Sequence, residues 1–134
     1  MPIHTKIDHE KRIVYNSVTG VITRHDFDVH HNTTGMDASL FGYDEIFDLT
    51  GADDWDVMNI DFVKTARRAN ALPAVDPKAN IAVICNTFKS RGIVKFYIYL
   101  KRIIRTPSRT IHVFNCVSKA ESWLESLSEK ECVQ

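Results

Sequence analysis

Nine bases, Lys78, Lys89, Arg91, Lys95, Lys101, Arg102, Arg105, Arg109 and Lys119, stand between Pro77 and Ala120 with no Asp or Glu among them. The flanks compensate: residues 1–76 carry a balance of −6 and residues 121–134 one of −3. A net charge of zero therefore hides a local positive field, which bears on partners rather than on fold. Within the stretch, spacing sorts the side chains. On a helical wheel with Arg91 at zero, Arg91, Lys95, Ile98, Arg102 and Arg105 fall within about 40° of one another's centre. Ile93, Phe96, Tyr97, Leu100, Ile103 and Ile104 fall between about 120° and 240°. The spacing predicts a helix over 90–105 with that apolar arc turned inward. Its outer face would be a basic stripe with Ile98 at the centre, flanked by Val94 and Tyr99. Bases around an exposed apolar residue suit an anionic membrane surface or an acidic groove on a protein partner. The plainer alternative is a solvated face, with Ile98 stray or packed by a neighbour.

The remaining chemistry is sparse. Nucleic acid would need the same bases, with aromatics to stack on. The chain is neutral overall, Phe96 and Tyr97 belong to the inward arc, and no DNA- or RNA-binding motif is present. His25, His30 and His31 stand close together, but 25 and 30 lie about 140° apart on a helix, unlike a ligating i,i+4 pair. Asp26 and His30 share a face. Without a third ligand no metal site is predicted, and the histidines read as a polar, mildly pH-sensitive surface. Asp53, Asp54 and Asp56 could hold a divalent ion; more simply, they precharge the N-terminus of the next helix. Cys85, Cys116 and Cys132 form no Cys-x-x-Cys pair, so no redox or nucleophilic role is predicted. There is no Gly-rich phosphate loop and no Gly-x-Ser-x-Gly elbow. No cofactor and no catalytic residue is predicted.

These side chains need elements to position them. Ile3 to Val18 alternates around Glu10-Lys11 and reads as a hairpin ended by Gly20. Thr23 caps a helix to about His31, with Phe27 and Val29 inward. Residues 32–42 read as a loop. Strand 43–49 is stopped by Thr50-Gly51. A helix follows from about Asn59 to Ala71, with Ile60, Val63, Ala66 and Ala69 on one face. Asn80 to Cys85 is apolar on both alternating registers, the mark of a strand covered on both sides in a parallel sheet. The basic helix follows, started by Thr87 or Ser90. Thr110 to Phe114 is the last strand. Ser118 with Glu121 forms a capping box for a final helix, whose inner stripe is Ala120, Trp123, Leu124 and Leu127. The order β-β-α-β-α-β-α-β-α predicts an α/β fold: one mixed sheet, an N-terminal antiparallel hairpin plus parallel strands, with four helices. In such sheets ligands sit at the carboxyl ends of the strands. Here those ends are Thr50-Gly51, Asn86-Thr87 and Asn115-Cys116, with Arg91 close by in sequence. Turn chemistry alone also accounts for them.

Length and composition bound the rest. A chain of 134 residues fits one domain, here 1–134. The longest apolar runs have strand length, far short of the about 20 residues of a membrane span. The first residues have no apolar signal core. Three unpaired cysteines suit a reducing compartment, so the cytoplasm is the expected location.

The chain resembles the SpoIIAA-like branch of the STAS superfamily. Three pieces carry the resemblance besides the element order: Ile46-Phe47-Asp48-Leu49-Thr50-Gly51, Ile111-His112-Val113-Phe114, and Ala120-Glu121-Ser122-Trp123-Leu124. The resemblance implies a non-catalytic module that binds proteins, membranes or small apolar ligands. Relatives that act as antagonists carry a phosphorylatable Ser just past the third strand. The matching stretch here is Asp56-Val57-Met58-Asn59, with no hydroxyl, so no phosphoserine switch is expected.

The sequence thus points to a cytoplasmic binding or regulatory module. Its contact surface would be Thr50, Gly51, Asn86, Thr87, Arg91, Lys95, Ile98, Arg102, Arg105 and Asn115. The partner would be a protein, an anionic membrane surface or a small apolar ligand; nucleic acid is disfavoured and a homodimer stays open. The alternative is a small enzyme or ligand carrier with its site at the strand ends. Asp48 and His112 are the only strand residues that could titrate there, and neither has an evident partner.

Overall fold

A computed structural model describes residues 3–104 and 109–133, with side chains as far as residue 127. Arg105 and the side chain of Cys132 lie outside the described residues. The strand β4 (Asn80–Ile84) shows how the layers form. Ile81 and Val83, with Cys85 just beyond, enter one apolar cluster, while Ala82 and Ile84 enter another on the opposite face. Alternation at period two, apolar on both registers, demands cover on both sides.

The other strands are β1 (Ile3–Asp8), β2 (Ile13–Ile22), β3 (Asp44–Trp55) and β5 (Thr110–Phe114). They form one sheet of order β1-β2-β3-β4-β5. β1 and β2 are antiparallel; β2, β3, β4 and β5 are parallel. The sheet order follows the chain order. Right-handed crossovers that always advance the same way must all lie on the same face. α1 (Arg24–Thr33), α2 (Phe62–Asn70) and α3 (Phe88–Ile104) make those three crossovers. Phe27, Phe62, Ile93 and Val94 bring them to the cluster built on Val18, Leu49, Ile81 and Val83. α4 (Val117–Val133) covers the other face with Val117, Ala120, Trp123 and Leu124.

Local chemistry sets the ends of α1 and α3. Thr23 Oγ1 accepts from the Asp26 N–H, and the Asp26 carboxylate accepts from the Thr23 N–H at 2.7 Å, a reciprocal cap. Thr87 Oγ1 accepts from the Ser90 N–H at 3.2 Å at the start of α3. α4 begins at Val117, so Ser118 lies inside the helix rather than capping it.

Two glycines read as stops are not stops. β2 continues through Gly20 to Ile22, and β3 continues through Gly51 to Trp55. The two extensions pair with each other, up to Ile22 with Trp55, across two register shifts. The shifts explain the glycines. Gly20 has φ +74 at the second shift. Gly51 lies so close to β2 that a Cβ would meet the Val18 carbonyl oxygen at 2.7 Å.

Candidate functional site: a cavity with a charged end

A cavity of about 130 Å³ lies between the sheet and helices α1, α2 and α3. Most of its wall is apolar, from Phe27, Leu49, Trp55, Val83 and Val94 among others. One end is not. His30, His31, Glu45, Tyr97, Lys101 and Arg109 also line it.

Alternation puts Glu45 there. It shares the register of Phe47 and Leu49 on β3, and it pairs across to Val14 and Ile81 near the amino ends of the parallel strands. A carboxylate on an inward register needs partners. Arg109 Nη1, just ahead of β5, donates to Glu45 Oε1 at 3.0 Å. Asn16 Nδ2 donates to Oε2 at 3.2 Å, and Thr5 Oγ1 donates in turn to Asn16 Oδ1 at 2.9 Å. His30 Nε2 stands 4.0 Å from the same Oε2. Both oxygens of Glu45 are thus engaged.

The cations outnumber the carboxylate. Lys101 is 7% exposed. Its Nζ lies 5.2 Å from the centre of the Tyr97 ring, and it makes no hydrogen bond or ion pair with a described residue. Arg109 Nε is buried without an acceptor among the described residues, and the Arg109 side chain is 9% exposed. Burial, reinforced by the Arg109 charge, lowers the Lys101 ammonium to about 8. Burial also lowers His30, and lowers His31 to about 4, helped there by His30 and Arg68. The two imidazoles are therefore neutral at pH 7. Burial pushes the Tyr97 phenol up, so it stays protonated. At neutral pH the end of the cavity holds two cations against one carboxylate.

The histidines correct the sequence reading. His30 and His31 are not a polar surface: they are 8% and 7% exposed. His30 packs edge-on to Phe47 at 5.3 Å between ring centres. Asp26 does not turn toward His30 but is used by the cap. Among the described residues no three His, Cys, Asp or Glu side chains gather as metal ligands.

α3 is also turned differently from its wheel. The buried side chains are Ser90, Val94 and Lys101, which fall near about 280°, roughly 100° from the apolar arc's centre. Trp55 Nε1 donates to Ser90 Oγ at 2.9 Å, and this buried bond fixes the rotation. Ile98, placed at the centre of the outer stripe, packs instead against the core, as does Val94. Phe96 and Ile103, placed inside, are 50% and 56% exposed.

None of the described residues of the sequence-predicted surface lines the cavity. Arg91, Lys95 and Arg102 are exposed on α3. Thr50, Gly51, Asn86, Thr87 and Asn115 are exposed at the carboxyl side of the sheet, away from Glu45 and Arg109. Thr50 is occupied there: its N–H and Oγ1 both donate to Asp48 Oδ1, at 3.0 and 2.6 Å. The sequence does carry a signal for two of the cavity residues. Glu45 breaks the apolar register of Phe47 and Leu49, and Lys101 interrupts the run from Phe96 to Ile104.

No family model and no curated protein matches the chain. Solved structures share its fold, two of them as follows. One is an uncharacterised protein of the DUF3478 family with a SpoIIAA-like fold from Shewanella loihica PV-4. It matches with a TM-score of 0.56 at 13% identity, over 91% of each chain. The other is the anti-sigma factor antagonist SpoIIAA in its unphosphorylated form, with a TM-score of 0.54 at 9% identity, over 96% of this chain and 97% of that one. The fold of this chain is SpoIIAA-like, with one mixed five-stranded sheet and four α-helices among the described residues.

Proposed function

We propose that this chain is a non-catalytic binding module that docks on an anionic membrane surface through the outer face of α3. The observation that carries the reading is the composition of that face. Arg91, Lys95 and Arg102 are exposed there. Between and beside them Phe88, Phe96, Tyr99 and Ile103 are 95%, 50%, 59% and 56% exposed. Relative to the stripe drawn from the wheel, the face keeps Tyr99, loses Ile98 and Val94 to the core, and gains Phe88, Phe96 and Ile103. Lys89 pairs with Asp54 and Trp55 with Ser90, so the end of β3 is held against the start of α3.

Magnitudes make the contact weak and reversible. Each base near an anionic membrane contributes about 1 kcal/mol, so three give about 3 kcal/mol. An aromatic side chain that becomes fully buried adds roughly 1.5–3 kcal/mol. No helix among the described residues is long and apolar enough to cross a membrane, so the mode is surface contact. The free thiols of Cys85 and Cys116 fit a reducing compartment such as the cytoplasm. Phosphorylation of the turn Val57–Asn59 is no part of this reading, because 56–59 contains no hydroxyl.

Co-sedimentation with phosphatidylserine-containing and neutral vesicles, at low and high salt, tests it. Preference for anionic vesicles at low salt, lost in Lys95→Glu/Arg102→Glu, is the expected result. Equal binding to both vesicle types, or none, removes the membrane. A partner protein pulled down by the parent chain and lost in the double variant would move the same face to an acidic protein.

A further inference from the structure

We infer that the cavity takes a small amphiphilic carboxylate, with its hydrocarbon part against Phe27, Leu49, Trp55 and Val94 and its carboxylate on Lys101 and Arg109. This site is separate from the outer face of α3 and does not depend on it.

Three observations converge. The first is size and lining: about 130 Å³ bounded mostly by apolar side chains. A dry apolar cavity of about 150 Å³ is enough to hold benzene, so an aryl or medium-chain hydrocarbon part is the right scale. The second is the charge count. Glu45 spends both oxygens on Arg109 and Asn16, which leaves Lys101 buried without a direct ion pair among the described residues. A buried cation is costly unless paired, and one added carboxylate would neutralise the end of the cavity. The third is an orphaned donor. Arg109 Nε has no acceptor among the described residues although the side chain is nine-tenths buried, and a buried donor needs an acceptor, which a carboxylate in the cavity would supply. A neutral ligand would answer the first observation only. A phosphate monoester would bring about two charges to a single excess cation. A carboxylate matches all three.

The groups facing Lys101 set the pH dependence. Arg109 and Glu45 come from the ends of β5 and β3, Tyr97 from α3 itself, and His30 and His31 from α1. The histidines are neutral and Tyr97 is protonated near neutrality, so Lys101 is the group that titrates first as pH rises. Its ammonium, lowered to about 8, would be held protonated by the ligand. Affinity should therefore fall as pH rises from about 8.

Calorimetric titration of the full chain with octanoate, and with octanol as the uncharged match, tests the proposal. In a Trp123→Phe background, Trp55 fluorescence gives a second signal from the cavity wall. Octanoate should bind at least about tenfold more tightly than octanol, the scale of one charge-assisted hydrogen bond. Lys101→Met, which keeps the stem and removes a buried charge, should fold at least as stably and lose about 10- to 100-fold in octanoate affinity. Ala69→Leu should fill the apolar part and weaken both probes. Equal affinity for octanol and octanoate overturns the assignment, as does unchanged octanoate binding in Lys101→Met, or no binding of either probe. If Ala69→Leu fails to fold, the probe ratio and Lys101→Met decide.

Discussion

The two faces of the sheet were built by the same strands but not to the same standard. Under α4, Ile46, Ala82 and Ile84 meet Ala120 and Leu124, small and branched side chains that are 2% exposed or less. Among the described residues no ionisable side chain is buried in that cluster; Tyr15 packs at its edge. Under α1, α2 and α3 the sheet and its covering helices enclose a cavity lined in part by Glu45, Arg109, Lys101, His30 and His31. One face maximises packing, since close-packed apolar contacts are where stability comes from. The other gives up packing and buries charge, which a fold selected for stability alone would not do. The contrast is the reason to look for function on the three-helix side.

The largest test of this contrast is Glu45→Gln. It keeps the shape but leaves Arg109 and Lys101 as buried like charges, and should cost about 4 kcal/mol in urea unfolding. On the other face Leu124→Ala should cost about 3 kcal/mol through lost burial and a residual cavity, with a loss that stays constant with pH. Equal pH sensitivity of the two variants would erase the difference between the faces.

Wild-type pH dependence sharpens it. Lys101 is lowered in the folded chain, so the folded state binds its proton less tightly than the unfolded state. The penalty is complete below about 8 and vanishes above the unfolded value near about 10.5. Over that window this group should raise stability with pH by on the order of 2 kcal/mol, and Lys101→Met should flatten that rise. His31, lowered to about 4, acts in acid by the same sign: it costs nothing above about 6.5 and destabilises progressively as pH falls. The smallest effect belongs to Thr23→Ala. Losing the cap should cost about 1 kcal/mol and speed amide exchange in α1 while α4 stays protected.

The same contrast explains what the sequence made legible. The double apolar register of Ile81 to Cys85 places β4 inside the sheet, and the alternation of strands and helices fixes the parallel pairing. Those signals are local and periodic. Where tertiary contacts decide, the sequence misleads. Gly20 and Gly51 look like punctuation, but at the two register shifts Gly20 supplies a positive φ and Gly51 lets β3 approach β2 closely. The wheel of α3 weighs Phe96 and Ile103 as core by type, whereas the Trp55–Ser90 hydrogen bond rotates them out and Lys101 in. The charged end of the cavity joins residues as far apart as His30 and Arg109. No spacing rule connects them, and each alone looks like surface chemistry.

Strand order that copies chain order also bears on how the molecule is made. No strand has to be threaded between two already in place, so during synthesis each new strand can add to the free edge left by its predecessor. The three crossover helices arrive in step with the strands they cover. The face under α4 has no such provision. Ile13, Ile46, Ala82 and Ile84 are assembled early but receive their cover from the last element. A nascent chain that has completed β5 but not α4 would present a flat apolar sheet face, the surface that chaperones bind and that aggregates when they do not.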